Sequence, residues 1–148
     1  MRRHETQAVR ALLPRAFAAA RDYRARYHGR IVANMSVAAW LASQDGRPDE
    51  VLRLAAEIES LDLTNAGSGA MHRWVYLFPV LAVHLAAGAT AEAVAAARRI
   101  IDPSQQLLPD DLTGVLAAAC ASWDEGDQAR AAQHLTEALD VARARAYF

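Results

Sequence analysis

The chain has 148 residues, of which 53% are apolar, with 16 basic side chains against 17 acidic ones and one Cys. This length lets a single domain bury an ordinary core; the apolar content excludes wholesale disorder, and the near-zero net charge excludes a generally basic nucleic-acid binder. One Cys makes neither an internal disulfide nor a thiolate zinc cluster, and neither a signal-peptide pattern nor an apolar run of roughly 20 residues is found, so a cytoplasmic domain without membrane anchor is expected.

All 16 basic residues are Arg, and the abundance of Ala favours helix over strand. Nothing alternates with period two, so an all-α chain of about seven helices in antiparallel hairpins is expected, forming one domain over 1–148. The first helix is placed at residues 14–27. Its Leu13, Ala16, Phe17, Ala20 and Tyr27 form an apolar stripe, while Arg21, Arg24 and Arg30 interleave with Tyr23 and Tyr27. Residues 1–30 hold eight Arg against Glu5 and Asp22, a surplus of six positive charges, so the remainder carries −7. Base and ring in alternation would suit a phosphate backbone, but a packed apolar face with a solvated or internally paired Arg face explains the same residues better. Nucleic acid is therefore disfavoured as a partner.

Three hairpins follow, each punctuated by a glycine. Gly46 separates helices at 30–43 and 48–61, with Pro48, Asp49 and Glu50 suited to the first turn of the second helix. A turn-rich connection at 63–70 precedes helices at 71–87 and 91–101, separated by Gly88, with Thr90 as the expected N-cap. Pro79 should kink the first of these, because it lacks the N–H that the helix needs. A second connection at 102–108 leads to helices at 109–124 and 128–146 around Gly126, with Asp127 as cap. Apolar residues recur five, nine and twelve positions after each glycine: Val51, Ala55, Ile58; Ala93, Ala97, Ile100; Ala131, Leu135, Ala138. The hairpins therefore span about 30–61, 71–101 and 109–146 as a degenerate repeat of two-helix units.

With Ala131, Leu135, Ala138 and Leu139 after Gly126, residues 112–143 resemble a tetratricopeptide repeat. Trp74, Leu77, Leu81, Gly88 and Ala93 form a poorer copy, and the hairpin at Gly46 a poorer one still; together they cover about 32–143. The sequence departs from the family where Ala42, His84 and Ser122 replace the aromatic late in each first helix, and where the closing Pro is missing or displaced. A narrower likeness is to helical repeats of large bacterial signalling ATPases, including cyclase-fused and MalT-like or LuxR-type regulators. It is carried by 135–143 and by Ala146-Tyr147-Phe148. The resemblance implies a short right-handed superhelix and a C-terminal piece of a longer regulatory protein.

Ligands of that repeat fold lie on the concave face of the first helices. Carried over, this face comprises Ser36, Trp40, Ser43 and Gln44, then Phe78 and Leu85, then Thr113, Leu116, Cys120, Trp123 and Asp124. Such a set suits an apolar peptide held by aromatic anchors. The expected function is a non-enzymatic scaffold or sensor that binds a protein or peptide segment, or another domain of a parent chain. A homodimer through Arg21, Arg24 and Arg30 is the charged variant of this reading. The alternative is a helical small-molecule domain in which Trp40, Trp74, Phe78 and Trp123 line an apolar pocket. His4, His28, His72, His84 and His134 show no ligand spacing, so neither metal nor cofactor is expected. Cys120 is read as a small buried thiol in preference to a nucleophile served by His134. Asn65-Ala66-Gly67-Ser68-Gly69 is read as a connection, since no strand precedes it as in a phosphate loop.

Overall fold

The computed structural model describes residues 3–22, 28–61 and 73–147. Among them are the helices α1 (Arg3–Asp22), α2 (His28–Gln44), α3 (Pro48–Ser60), α4 (Trp74–Ala86), α5 (Thr90–Ile100), α6 (Asp110–Asp124) and α7 (Gln128–Ala144), and no strand. The chain divides into two compact units, Met1–His72 and Arg73–Phe148. The connection at 63–70, with its Asn65 to Gly69 motif, lies outside the described residues.

The three hairpin turns are built alike. Gly46, Gly88 and Gly126 take φ of 65°, 73° and 83°, left-handed values that a Cβ would strain. Each donates its N–H three residues back, to the carbonyls of Ser43, Leu85 and Trp123. The next residue reaches five back: Arg47 to Ala42, Ala89 to His84, and Asp127 to Ser122, each at 2.9 Å. This paired arrangement closes the last carbonyls of the first helix and aims the chain straight into the second. The side chains five, nine and twelve residues on are all buried, none exposing more than 5% of its surface. Burial of a Val, Leu or Ile of this kind contributes about 1.5–3 kcal/mol, which makes that register the main force holding each hairpin closed.

Helix starts follow the expected chemistry with one correction. Pro48 opens α3 with Asp49 and Glu50 in its first turn, and the Asp127 carboxylate accepts the Arg130 N–H at 2.9 Å. Thr90, however, is already helical; Ala89 occupies the N-cap and gives no side-chain bond.

In the first unit α2 packs against both α1 and α3. Here α1 begins eleven residues before the expected start and carries Pro14 in its interior. The apolar positions Val9, Leu13, Ala16, Phe17 and Ala20 continue one stripe through Pro14, and packing that stripe on α2 outweighs one lost backbone hydrogen bond. Residues 23–27, expected to end this helix, lie outside the described residues.

In the second unit α4 meets α5 and α7, while α6 meets the same two helices. Tyr76, Leu77, Phe78 and Leu81 of α4 are fully buried, as are Leu112 and Leu116 of α6 and Leu135 of α7. Pro79 lies in the interior of α4 as expected and is buried. The Arg99 guanidinium donates to the Tyr76 hydroxyl at 2.9 Å, tying α5 to α4. Gln105, 7% exposed in the connection between α5 and α6, accepts the Arg73 N–H at 3.2 Å where α4 starts. The end of α7 folds onto the same region, with Tyr147 against Trp74 and Phe78.

Candidate functional site

Among the described residues, α1 and α2 of the first unit leave a groove of about 530 Å³ lined by Arg10, Leu13, Pro14, Phe17, Ala18 and Leu41. The α1 residues follow the spacing i, i+3, i+4, i+7, i+8, so one helical stripe supplies the wall and Leu41 of α2 the floor. Arg10, Pro14 and Ala18 are exposed, Leu13 and Phe17 partly so, and Leu41 is buried. The Arg10 guanidinium pairs with the Asp45 carboxylate, which also receives Arg47 at 3.2 Å. The groove thus has an apolar interior and a polar rim that is largely neutralised within the protein.

A helix starting at Pro14, as the sequence suggests, leaves Arg10 outside the stripe that carries Leu13 and Phe17. Leu13 and Phe17 were expected only to pack. The spacing from Arg10 to Ala18 was the available signal.

The residues assigned to a concave face separate into three groups. Ser36, Phe78, Leu116 and Cys120 are buried, each exposing at most 8% of its surface. The Ser36 hydroxyl donates to the Val32 carbonyl of its own helix at 2.7 Å, and Phe78 and Leu116 fill the core of the second unit. Trp40, Ser43, Leu85, Thr113 and Trp123 are partly exposed, and Gln44 and Asp124 are exposed. Within the second unit α4 and α6 have α5 and α7 as their main neighbours. Arg24 and the side chain of Arg21 lie outside the described residues, and Arg30 is on the exposed side of α2.

Of the aromatic residues expected for a small-molecule pocket, Phe78 is fully buried, and Trp40, Trp74 and Trp123 do not line this groove.

Burial pushes the Cys120 thiol up, against the opposing pull of the Arg98 guanidinium, so the sulfur is neutral and a poor nucleophile. Arg98 itself pairs with Asp124, while His134 faces Glu137 of its own helix at 3.7 Å. Among the described residues no three His, Cys, Asp or Glu side chains are grouped to hold a metal ion, and no helix is long and apolar enough to cross a membrane.

In comparisons with known proteins, no family model matches the chain, and neither does any curated protein or solved structure.

Proposed function

We propose that the protein is a non-enzymatic interaction module of tetratricopeptide-like helical repeats, a scaffold or sensor that receives an apolar helical segment of another protein or of its own parent chain. The observation that carries this reading is the α1–α2 groove. Its open side and three exposed lining residues favour a partner's apolar side chains over an enclosed small molecule. The charge on its rim is met by Asp45, so affinity comes from apolar burial and shape. We place the module in the cytoplasm, within a larger bacterial signalling or regulatory protein, by the resemblance of its repeats.

Peptides selected for binding from a displayed library test the reading. They should carry apolar residues at helical spacing, and Ala18→Trp, which fills the groove from an exposed position, should abolish their binding while helicity stays unchanged. Peptides that bind Ala18→Trp as well as the native chain would move the site elsewhere. A groove that takes a fluorescent apolar dye but no peptide would return the small-molecule alternative.

A further inference from the structure

The end of α7 repeats the hydrogen bonds of the hairpin turns without the glycine. The Ala146 N–H donates to the Arg143 carbonyl at 3.1 Å and the Tyr147 N–H to the Ala142 carbonyl at 2.8 Å, the same three-back and five-back pair. Ala146 takes φ of 60° to do so, a conformation in which Cβ crowds the following carbonyl. Three turns in this chain solve that problem with glycine, and this one does not.

The strained turn places one ring. Tyr147 lies edge-on to Trp74 with centroids 5.0 Å apart, and 6.5 Å from Phe78. Beneath it Phe78 is fully buried, and the Trp74 indole N–H is buried without a hydrogen-bond partner. The ion pairs here, Arg145 with Asp111 and Arg143 with Asp140, are about half exposed or more on both sides and add little.

We propose that the last turn of α7 is a strained clasp: the Tyr147 ring holds Ala146 left-handed, and its release uncovers Trp74 and Phe78 in one local opening while α4 to α7 stay folded. Strain favours release, aromatic contact favours closure, and the balance between them sets how often the Trp74 and Phe78 surface is available. The clasp belongs to the second unit and does not depend on the groove reading.

Hydrogen exchange of the full chain by NMR tests it, because the Trp74 indole N–H reaches water only when its cover moves. That signal, assigned by its loss in Trp74→Phe, is followed beside the Tyr147 and Leu139 amides. Trp74 and Tyr147 should exchange at one common opening, at least tenfold more often than Leu139 in the body of α7. Ala146→Gly should slow both by about fivefold by relieving the left-handed strain. Tyr147→Ala should speed the Trp74 signal at least tenfold and leave Leu139 unchanged, whereas Tyr147→Phe, which keeps the ring, should preserve closure. A Trp74 indole that exchanges no faster than Leu139 would overturn the proposal, as would one indifferent to Tyr147→Ala. Should Tyr147→Ala unfold the unit, Ala146→Gly decides, and unchanged exchange there overturns the clasp.

Discussion

Tyr147 meets Trp74 edge-on, centroids 5.0 Å apart and ring planes at 69°, so a residue beyond the end of α7 covers the first residue of α4. The geometry suits the quadrupoles of two rings, with the positive edge of one on the negative face of the other. It leaves the Trp74 indole N–H buried and unpaired.

That orphan donor separates two substitutions. Trp74→Phe removes the unpaired N–H with most of the ring retained and should change stability by less than about 1 kcal/mol. Trp74→Ala removes the ring contact as well and should cost about 2–3 kcal/mol, below the full core range because the indole is part exposed. Urea unfolding followed by circular dichroism measures both, and equal losses would show that the N–H has a partner.

Two glycines should respond to alanine with opposite signs. At Gly88 a Cβ meets nothing within 4 Å, yet φ is 73°, so Gly88→Ala should cost about 1–2 kcal/mol from backbone strain alone. Gly114 lies inside α6 with equal room and no positive φ, so Gly114→Ala should add about 0.5–1 kcal/mol. Thermal melting of the two variants side by side reads the sign directly.

Phe78→Ala should cost about 3–5 kcal/mol, since the ring is fully enclosed in the second unit. The same truncation at partly exposed Leu85 should cost well under half of that. If Phe78→Ala were as stable as the native chain, the ring would belong to a binding surface after all.

Acid should weaken the tie between α6 and the end of α7. The Arg145 guanidinium, 2.7 Å from Asp111, holds the Asp111 carboxyl below the usual carboxylate range. Its folded-state value is thus lower than its unfolded one, so the stabilisation is present above the unfolded value near 3.9 and fades as pH falls through the folded value. Asp111→Asn should flatten the fall in stability that begins near the unfolded carboxylate value, and high salt should mimic it, because both partners are about half exposed. An unchanged profile in the variant would assign the acid sensitivity to other carboxylates.

Cys120 should resist alkylation. With its thiol buried and pushed up, iodoacetamide at pH 8 should modify it at least tenfold more slowly than free cysteine, and rapidly once urea unfolds the chain. Mass spectrometry over time follows the reaction, and fast labelling of the folded protein would contradict the burial.

The hairpins were legible because their determinants are local. A glycine followed by a capping or turn residue specifies a left-handed helix end, and apolar residues at five, nine and twelve positions specify which face of the next helix is covered. Val51, Ala93 and Ala131 are all fully buried for that reason. Asp127 was legible as a cap on the same grounds, whereas Thr90 was displaced into α5 because Gly88 and Ala89 complete the turn without it.

The site was less legible, because periodicity names a face but not what covers it. Phe78 and Leu116 have the helical spacing that would line a groove, and the same spacing fills a core when α5 and α7 close over α4 and α6. The α1 wall of the observed groove was hidden by Pro14, a helix-breaking signal that long-range packing on α2 overrides. No local rule relates Tyr147 to Trp74, 73 residues apart in the chain. The sequence by itself determined the three helical hairpins, their glycine turns and their buried registers, since these depend on backbone conformation and on burial within one hairpin. Only the tertiary structure decided where an apolar stripe stays open and which ring closes over which, because those outcomes depend on neighbours that are distant in the chain.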